Sequence, residues 1–254
     1  MALEKYIKTK LENKDILLMT HIVLGYPSLD ESYRIIETMV EAGVDIMELQ
    51  IPFSEPTADG PVIVKANQHA LDNGVKVEEC IELAGKAANT FDIPFLIMTY
   101  YNIPYKYGID NFTSKLTEKN LKGTIIPDLP PEEGGDFSDV MNKNNLAPIM
   151  LYSPTTTDER MSYLNSFAKG FIYCVARKGV TGKDTSFTED LSEYLKRCRK
   201  ATTLPLALGF GIKQKKDVDF LKGKVDIAVV GTQSIRIMEE SGIEAVGEFI
   251  NGLR

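Results

Sequence analysis

Residues 45–51, DIMELQI, form a short run, opened by Asp45, in which a second carboxylate, Glu48, is set among apolar residues. Such a run is too short for a helix and predicts a strand buried on both faces. Runs of the same kind recur at 16–24, 94–101, 122–126, 147–151, 170–175, 205–208 and 226–230, which makes eight. FLIM at 95–98 and IAVV at 227–230 are nearly continuous, as strands of a parallel sheet require. Between the runs lie stretches with helical spacing. Residues 32–42 carry Tyr33, Ile36, Met39 and Val40, and residues 111–118 carry Phe112 and Leu116. Residues 137–144, 160–167, 191–199 and 234–250 read the same way. Strand and helix alternate eight times, and no Pro- or Gly-rich linker divides the 254 residues. The pattern predicts an α/β fold with one domain over residues 1–254, a (β/α)8 TIM barrel. The charged amphipathic start, MALEKYIKTKLENK, adds an extra N-terminal helix. A doubly wound open sheet is the alternative; eight units and the length favour closure.

Composition excludes several classes of function. A net charge of −7 with no basic block argues against nucleic-acid binding, and Lys213, Lys215 and Lys216 read as a solvated helix face. Cys80, Cys174 and Cys198 are widely spaced and lack any CxxC, so no disulfide framework or zinc site is expected and a reducing compartment fits. His21 and His69 are the only histidines, which leaves little for metal chemistry or a histidine-based triad. No run reaches membrane length and the start has no apolar signal core. The expectation is a cytoplasmic chain with neither a membrane partner nor a metal.

Two connections are longer than the usual two to six residues, 52–61 after the second run and 177–188 after the sixth. In a barrel both lie at the carboxyl ends of the strands, the face that carries active sites. Glu48 alternates with Met47 and Leu49 and so points away from them. A buried carboxylate there is costly unless paired, which leaves two readings: a strand-end residue that reaches solvent or sits in a buried ion pair, or a general acid/base. Asp59 follows in PTADGP and reads either as an Asx turn capping the next helix or as a second carboxylate over the same strand ends. Two carboxylates with no cofactor motif nearby suit proton transfer on an organic substrate.

A phosphate signal stands apart from these. Gly209, Phe210 and Gly211 follow the seventh run, and Gly231 and Thr232 follow the eighth, directly ahead of a helix. Barrels often bind phosphate there through backbone N–H groups, with Thr232 offering a hydroxyl and an N-cap. Ordinary turn glycine is the alternative. In the sixth loop, Gly179 and Gly182 flank Val180 and Thr181 and suit a lid hinge. Tyr173 reads as an inward aromatic near the substrate or as core filler.

MELQIPFSEPTADGP (47–61), IPDLPPEEG (126–134), GFIYCVARKGVTG (170–182), LGFGI (208–212) and VVGTQSI (229–235) resemble the signature blocks of the tryptophan synthase α subunit family, in order and over essentially the whole chain. The resemblance implies a cofactor-free lyase that splits indole-3-glycerol phosphate into indole and glyceraldehyde 3-phosphate by retro-aldol cleavage. It implies that Glu48 is the acid/base that protonates indole C3 and helps activate the glycerol hydroxyl. Asp59 would hydrogen-bond the indole N–H and stabilise the charge developing on the ring, with Thr181 of the lid orienting it. Tyr173, Gly182, Phe210, Gly211, Gly231 and Thr232 fall at substrate-binding positions. The family implies a β subunit carrying pyridoxal phosphate, an α2β2 assembly and an indole tunnel, with Glu55, Pro56, Asn102 and Asp128 facing that partner.

Three positions depart from the family's pattern: Gln50 where Gly is usual, Glu55 where Asp is usual and Thr232 where Ser is common. Glu55 bears on the fit to β. Gln50 adds a side chain beside the catalytic strand end, which reduces site volume or alters loop packing. Two other functions stay open: a phosphosugar isomerase barrel, which lacks the Glu48/Asp59 loop arrangement, and a non-catalytic barrel kept to bind a β-type partner. The chain holds no tryptophan, which agrees with a role in making it.

Overall fold

The computed structural model describes residues 2–135, 137–176, 189–209 and 211–254. Eight parallel strands close a barrel in chain order, β1 through β8, with β1 also paired to β8. The strands are β1 (Leu17–Val23), β2 (Ile46–Gln50), β3 (Phe95–Met98), β4 (Gly123–Ile125), β5 (Ala147–Tyr152), β6 (Ile172–Val175), β7 (Leu206–Gly209) and β8 (Ile227–Val230). Each lies within or against one of the eight apolar runs. This is the TIM barrel that the alternation predicts.

Twelve helices appear among the described residues. They are α1 (Leu3–Leu11), α2 (Leu29–Glu41), α3 (Pro61–Asp72), α4 (Val77–Thr90), α5 (Asn102–Tyr107) and α6 (Ile109–Glu118), then α7 (Phe137–Lys143), α8 (Asp158–Asn165), α9 (Glu189–Ala201), α10 (Lys215–Leu221), α11 (Thr232–Ser241) and α12 (Ile243–Gly252). The stretch 234–250, read as one helix, is two. Gly242 stands between them at φ +89, a left-handed conformation in which a glycine ends one helix and redirects the chain into the next.

Alternation along each strand divides the core in two. Met47, Leu49, Ile97, Cys174, Leu208 and Val230 point outward and pack under the helices. Leu17, Met19, Ile46, Leu96, Met98, Ile149, Ala207 and Val229 point inward and fill the barrel. Leu3 and Ile7 of α1 join this inner cluster, so the extra helix plugs the amino end of the barrel. Fit there is close: a Cβ on Gly170 would lie 2.8 Å from Leu3 Cδ2. With one end sealed by apolar side chains, polar inward residues collect at the other.

Candidate active site

The inward parity of β2 runs Ile46, Glu48, Gln50, and that of β1 runs Leu17, Met19, His21. The β1–β2 register sets His21 directly beside Glu48. Both side chains are buried, Glu48 at 3% exposure and His21 at 4%. His21 Nδ1 lies 3.1 Å from Glu48 Oε1, and the Tyr173 hydroxyl donates to that same oxygen at 3.4 Å. Glu48 Oε2 and His21 Nε2 are buried without a hydrogen-bond partner. Buried polar atoms are rarely left so in a structure, and at a barrel mouth they fit groups awaiting a ligand. Tyr173 therefore belongs to the site; it is not core filler. Its ring has room because residue 209 is glycine: a Cβ there would lie 3.0 Å from the Tyr173 hydroxyl.

Asp59 reaches the same mouth. Residues 51–60 return over β2 and β3, tied by Phe53 N–H to Asn67 Oδ1 at 2.8 Å and by Ala58 N–H to the Tyr100 hydroxyl at 3.0 Å. Phe53 stacks on Tyr100 with ring centroids 5.1 Å apart. The Asp59 carboxylate accepts from Gln50 Nε2 at 2.8 Å and from the Tyr100 hydroxyl at 2.9 Å, both on Oδ2. It does not cap α3, whose N-cap is Gly60 with no side-chain cap; the Asx-turn reading falls.

Electrostatics tie the two carboxylates together. Burial opposes charge on His21, yet the hydrogen bond and charge of Glu48, aided by Asp59 and Gln50, raise its pKa above the ordinary histidine value. Burial also raises the Asp59 pKa, against the lowering effects of His21, Gln50 and Tyr100. The Tyr173 hydroxyl is pushed well up by burial and by Glu48.

The raised His21 pKa has a consequence for stability. Relative to an unfolded histidine near 6.5, the folded state binds the proton more tightly, so this stabilisation is full below about pH 6.5 and is lost as pH rises through the folded value. Denaturant midpoints measured from pH 5.5 to 9 should fall across that window in the wild type relative to His21→Phe. Parallel profiles for the two proteins would remove the pair's contribution.

The glycine elements lie at the carboxyl ends of β7 and β8. Gly211 is exposed at φ +76, a conformation suited to glycine. Gly231 is the N-cap of α11 and supplies no side-chain cap; its carbonyl takes Ser234 N–H, and the N–H groups of Thr232 and Gln233 are left for another acceptor. Thr232 is the first helical residue, which corrects its reading as the cap. Phe210, Thr181 and Gly182 lie outside the described residues, as does the whole of 177–188. Among the presumed partner-facing residues, Glu55, Asn102 and Asp128 are exposed and Pro56 is buried. Asp128 accepts from Tyr101 N–H at 2.9 Å. Two site residues, His21 and Tyr100, carry no role read from sequence; of the two readings of Gln50, narrowing of the site or altered loop packing, its contact with Asp59 of the loop fits the second. The alternation that aims Glu48 inward also aims His21 and Gln50 inward, and that signal was available. Among the described residues no group of three or more His, Cys, Asp or Glu side chains is placed to hold a metal ion. No helix among them is long and apolar enough to cross a membrane.

A TIM barrel with a carboxylate–imidazole pair and a second carboxylate at its carboxyl-end mouth belongs to the barrel enzymes. The family profile described as tryptophan synthase alpha chain matches residues 7–249. The chain belongs to the tryptophan synthase alpha chain family and is a lyase. A relative from Desulforapulum autotrophicum, a tryptophan synthase alpha chain, is 61% identical over 251 residues, covering 99% of each chain. One of the same description from Syntrophotalea carbinolica is 59% identical over 252 residues, 99% of this chain and 100% of that one. Among solved structures, tryptophan synthase from Mycobacterium tuberculosis superposes with a TM-score of 0.93 at 27% identity, covering 100% of this chain and 97% of that one.

Proposed function

We propose that this mouth cleaves indole-3-glycerol phosphate by a cofactor-free retro-aldol reaction, with Glu48 as the acid/base and Asp59 as the electrostatic partner. One observation carries the assignment: Glu48 is buried, held through Oε1 by His21 and Tyr173, with Oε2 unpartnered. In the first step Glu48 gives a proton to C3 of the indole ring, and the positive charge falls on the ring nitrogen. Asp59, near the same mouth, accepts the ring N–H and stabilises that charge, which counts for more where water is excluded. Glu48, now a carboxylate, takes the proton of the hydroxyl on the carbon attached to the ring. That oxygen becomes the aldehyde, the carbon–carbon bond breaks, and its electrons return to the ring to neutralise the nitrogen. Indole and glyceraldehyde 3-phosphate leave, and Glu48 is protonated again. Gly211, Gly231 and Thr232 hold the phosphate by N–H groups, joined by Gly182 and Phe210; Thr181 closes on Asp59.

The reading extends to a β subunit that holds pyridoxal phosphate, in an α2β2 complex, with Glu55, Asn102 and Asp128 facing it and the buried Pro56 shaping the loop that carries Glu55. The exposed carboxylates of Glu55 and Asp128 support this, and Asp128 lies on a cleft of about 400 Å³ lined by Pro127, Leu129, Pro131, Phe137 and Arg160. Three free, buried cysteines support a cytoplasmic, reducing setting.

An assay of the isolated chain against indole-3-glycerol phosphate and against an aminodeoxypentulose phosphate tests the reaction class. Release of indole with the first and no change in the second is expected; isomerisation of the pentulose without indole release would favour the isomerase. Adding the cognate β subunit should raise turnover by ordering the loops. Unchanged kinetics in a proven complex would count against that coupling.

A further inference from the structure

Gln50 is the last residue of β2, fully buried, on the same inward row as Glu48 and one position pair nearer the mouth. Its register partners are Val23 on β1 and Met98 on β3, both buried and apolar. An amide in such surroundings is costly unless its groups are used. Its Nε2 is used: it donates to Asp59 Oδ2 at 2.8 Å. The orientation of the amide follows, because a carboxylate accepts only, so the N–H side faces Asp59 and the carbonyl faces elsewhere. That carbonyl oxygen is buried without a hydrogen-bond partner, and the amide favours the charged form of His21, the residue bonded to Glu48. Gln50 thus stands between the two acidic groups of the site.

Tyr100 completes the arrangement from β3. Its hydroxyl accepts from Ala58 N–H at 3.0 Å, so its own proton is directed to Asp59 Oδ2 at 2.9 Å. Two donors from the barrel wall therefore fall on one oxygen of Asp59. Among the described residues no donor reaches Oδ1. A carboxylate anchored through one oxygen offers the other at a fixed place and angle; one anchor is the last residue of β2 and the other, Tyr100, is a fully buried side chain two residues beyond β3. The family that the sequence resembles usually has glycine at this place, which supplies no donor.

We propose that Gln50 is a positioning residue: with Tyr100 it pins Asp59 through Oδ2 so that Oδ1 is presented to the ring N–H of the substrate. The proposal rests on the lyase reading above and adds to it a recognition device belonging to this chain. Of the two expectations for Gln50, narrowing of the site or altered loop packing, it follows the second and gives it a chemical role.

The test uses Gln50→Met, which keeps length and removes both amide groups, and two uncleavable ligands. One is an indole bearing a three-carbon phosphate chain at C3; the other is its benzofuran counterpart, in which a ring oxygen replaces N–H. Wild type should prefer the indole by roughly 10-fold or more, the scale of a hydrogen bond to a charged group. Gln50→Met should reduce that preference to about twofold and lower kcat for indole-3-glycerol phosphate by roughly 10-fold, with KM rising by no more than about fivefold. Tyr100→Phe should move the preference in the same direction. If Gln50→Met does not fold, as read by circular dichroism, Gln50→Gly replaces it. A purely structural role would weaken both ligands equally, and an unaltered indole preference in the folded variant overturns the proposal. Absence of indole release by the wild type would instead overturn the lyase reading, while the ligand preference still reports on Gln50.

Discussion

Replacing Glu48 by Gln should lower kcat for indole release by on the order of 10³- to 10⁴-fold, the upper part of the range for removing a positioned acid/base. The substitution is isosteric. A glutamine carbonyl still accepts from His21 Nδ1 and the Tyr173 hydroxyl, so the two contacts that hold the side chain survive. What is lost is the carboxyl group's capacity to give and take a proton. Substrate affinity, measured by equilibrium titration, should stay within about threefold, because binding rests on the phosphate and ring contacts. The His21 pKa should fall toward its ordinary value, since the Glu48 charge is one of the effects that raise it against burial. Imidazole proton shifts followed by NMR against pH read that change directly. Near-normal turnover by Glu48→Gln would end the assignment of Glu48 as the acid/base.

The second large effect is at Asp59. Asp59→Asn keeps one oxygen for Gln50 Nε2 and the Tyr100 hydroxyl but removes the charge that faces the ring. A fall in kcat of about 10²- to 10³-fold is expected, the scale found when one preorganised electrostatic partner of a transition state is removed. KM should rise by less, because positive charge on the ring nitrogen develops after binding. The pH profile gives a separate check. Burial raises the Asp59 pKa, so its protonation should inhibit at a pH above the ordinary aspartate range, and that inhibition should be missing from residual Asp59→Asn activity. Equal losses in kcat and in affinity for an uncleavable indole phosphate would assign Asp59 to ground-state binding alone.

Much of the barrel was legible because parallel strands buried on both faces leave a simple trace. Each apolar run became a strand, six of them trimmed by one to four residues where hydrogen-bond pairing stops short, while β5 runs one residue longer and β7 is shifted by one. Helices α3 and α4 were harder. α3 opens on Pro61, Val62, Ile63 and Val64, a β-branched start that mimics a strand, and α4 is rich in Ala and Gly, which blurs its apolar face. The site was legible at Glu48 and Asp59 because carboxylates in or beside apolar runs stand out. His21 did not stand out: a single histidine in a strand carries no motif, and only the register places it against Glu48. Tyr100 stands near the end of an apolar run and carries no motif either. It is buried, its hydroxyl turned to Asp59, while Asn102 two residues on is exposed. Gln50 shows the limit most clearly, since its Nε2 meets a loop residue whose path no local pattern reveals.

One measurement reaches the central claim, that the barrel mouth protonates the indole ring and breaks its bond to the glycerol chain. The isolated chain is incubated with indole-3-glycerol phosphate in D₂O, and products are followed by NMR. Indole and glyceraldehyde 3-phosphate are expected in equal amounts, with one deuterium at indole C3 in the wild type and no detectable product from Glu48→Gln over the same interval. Saturable binding of substrate with no indole formed, or indole that carries hydrogen at C3, would contradict it.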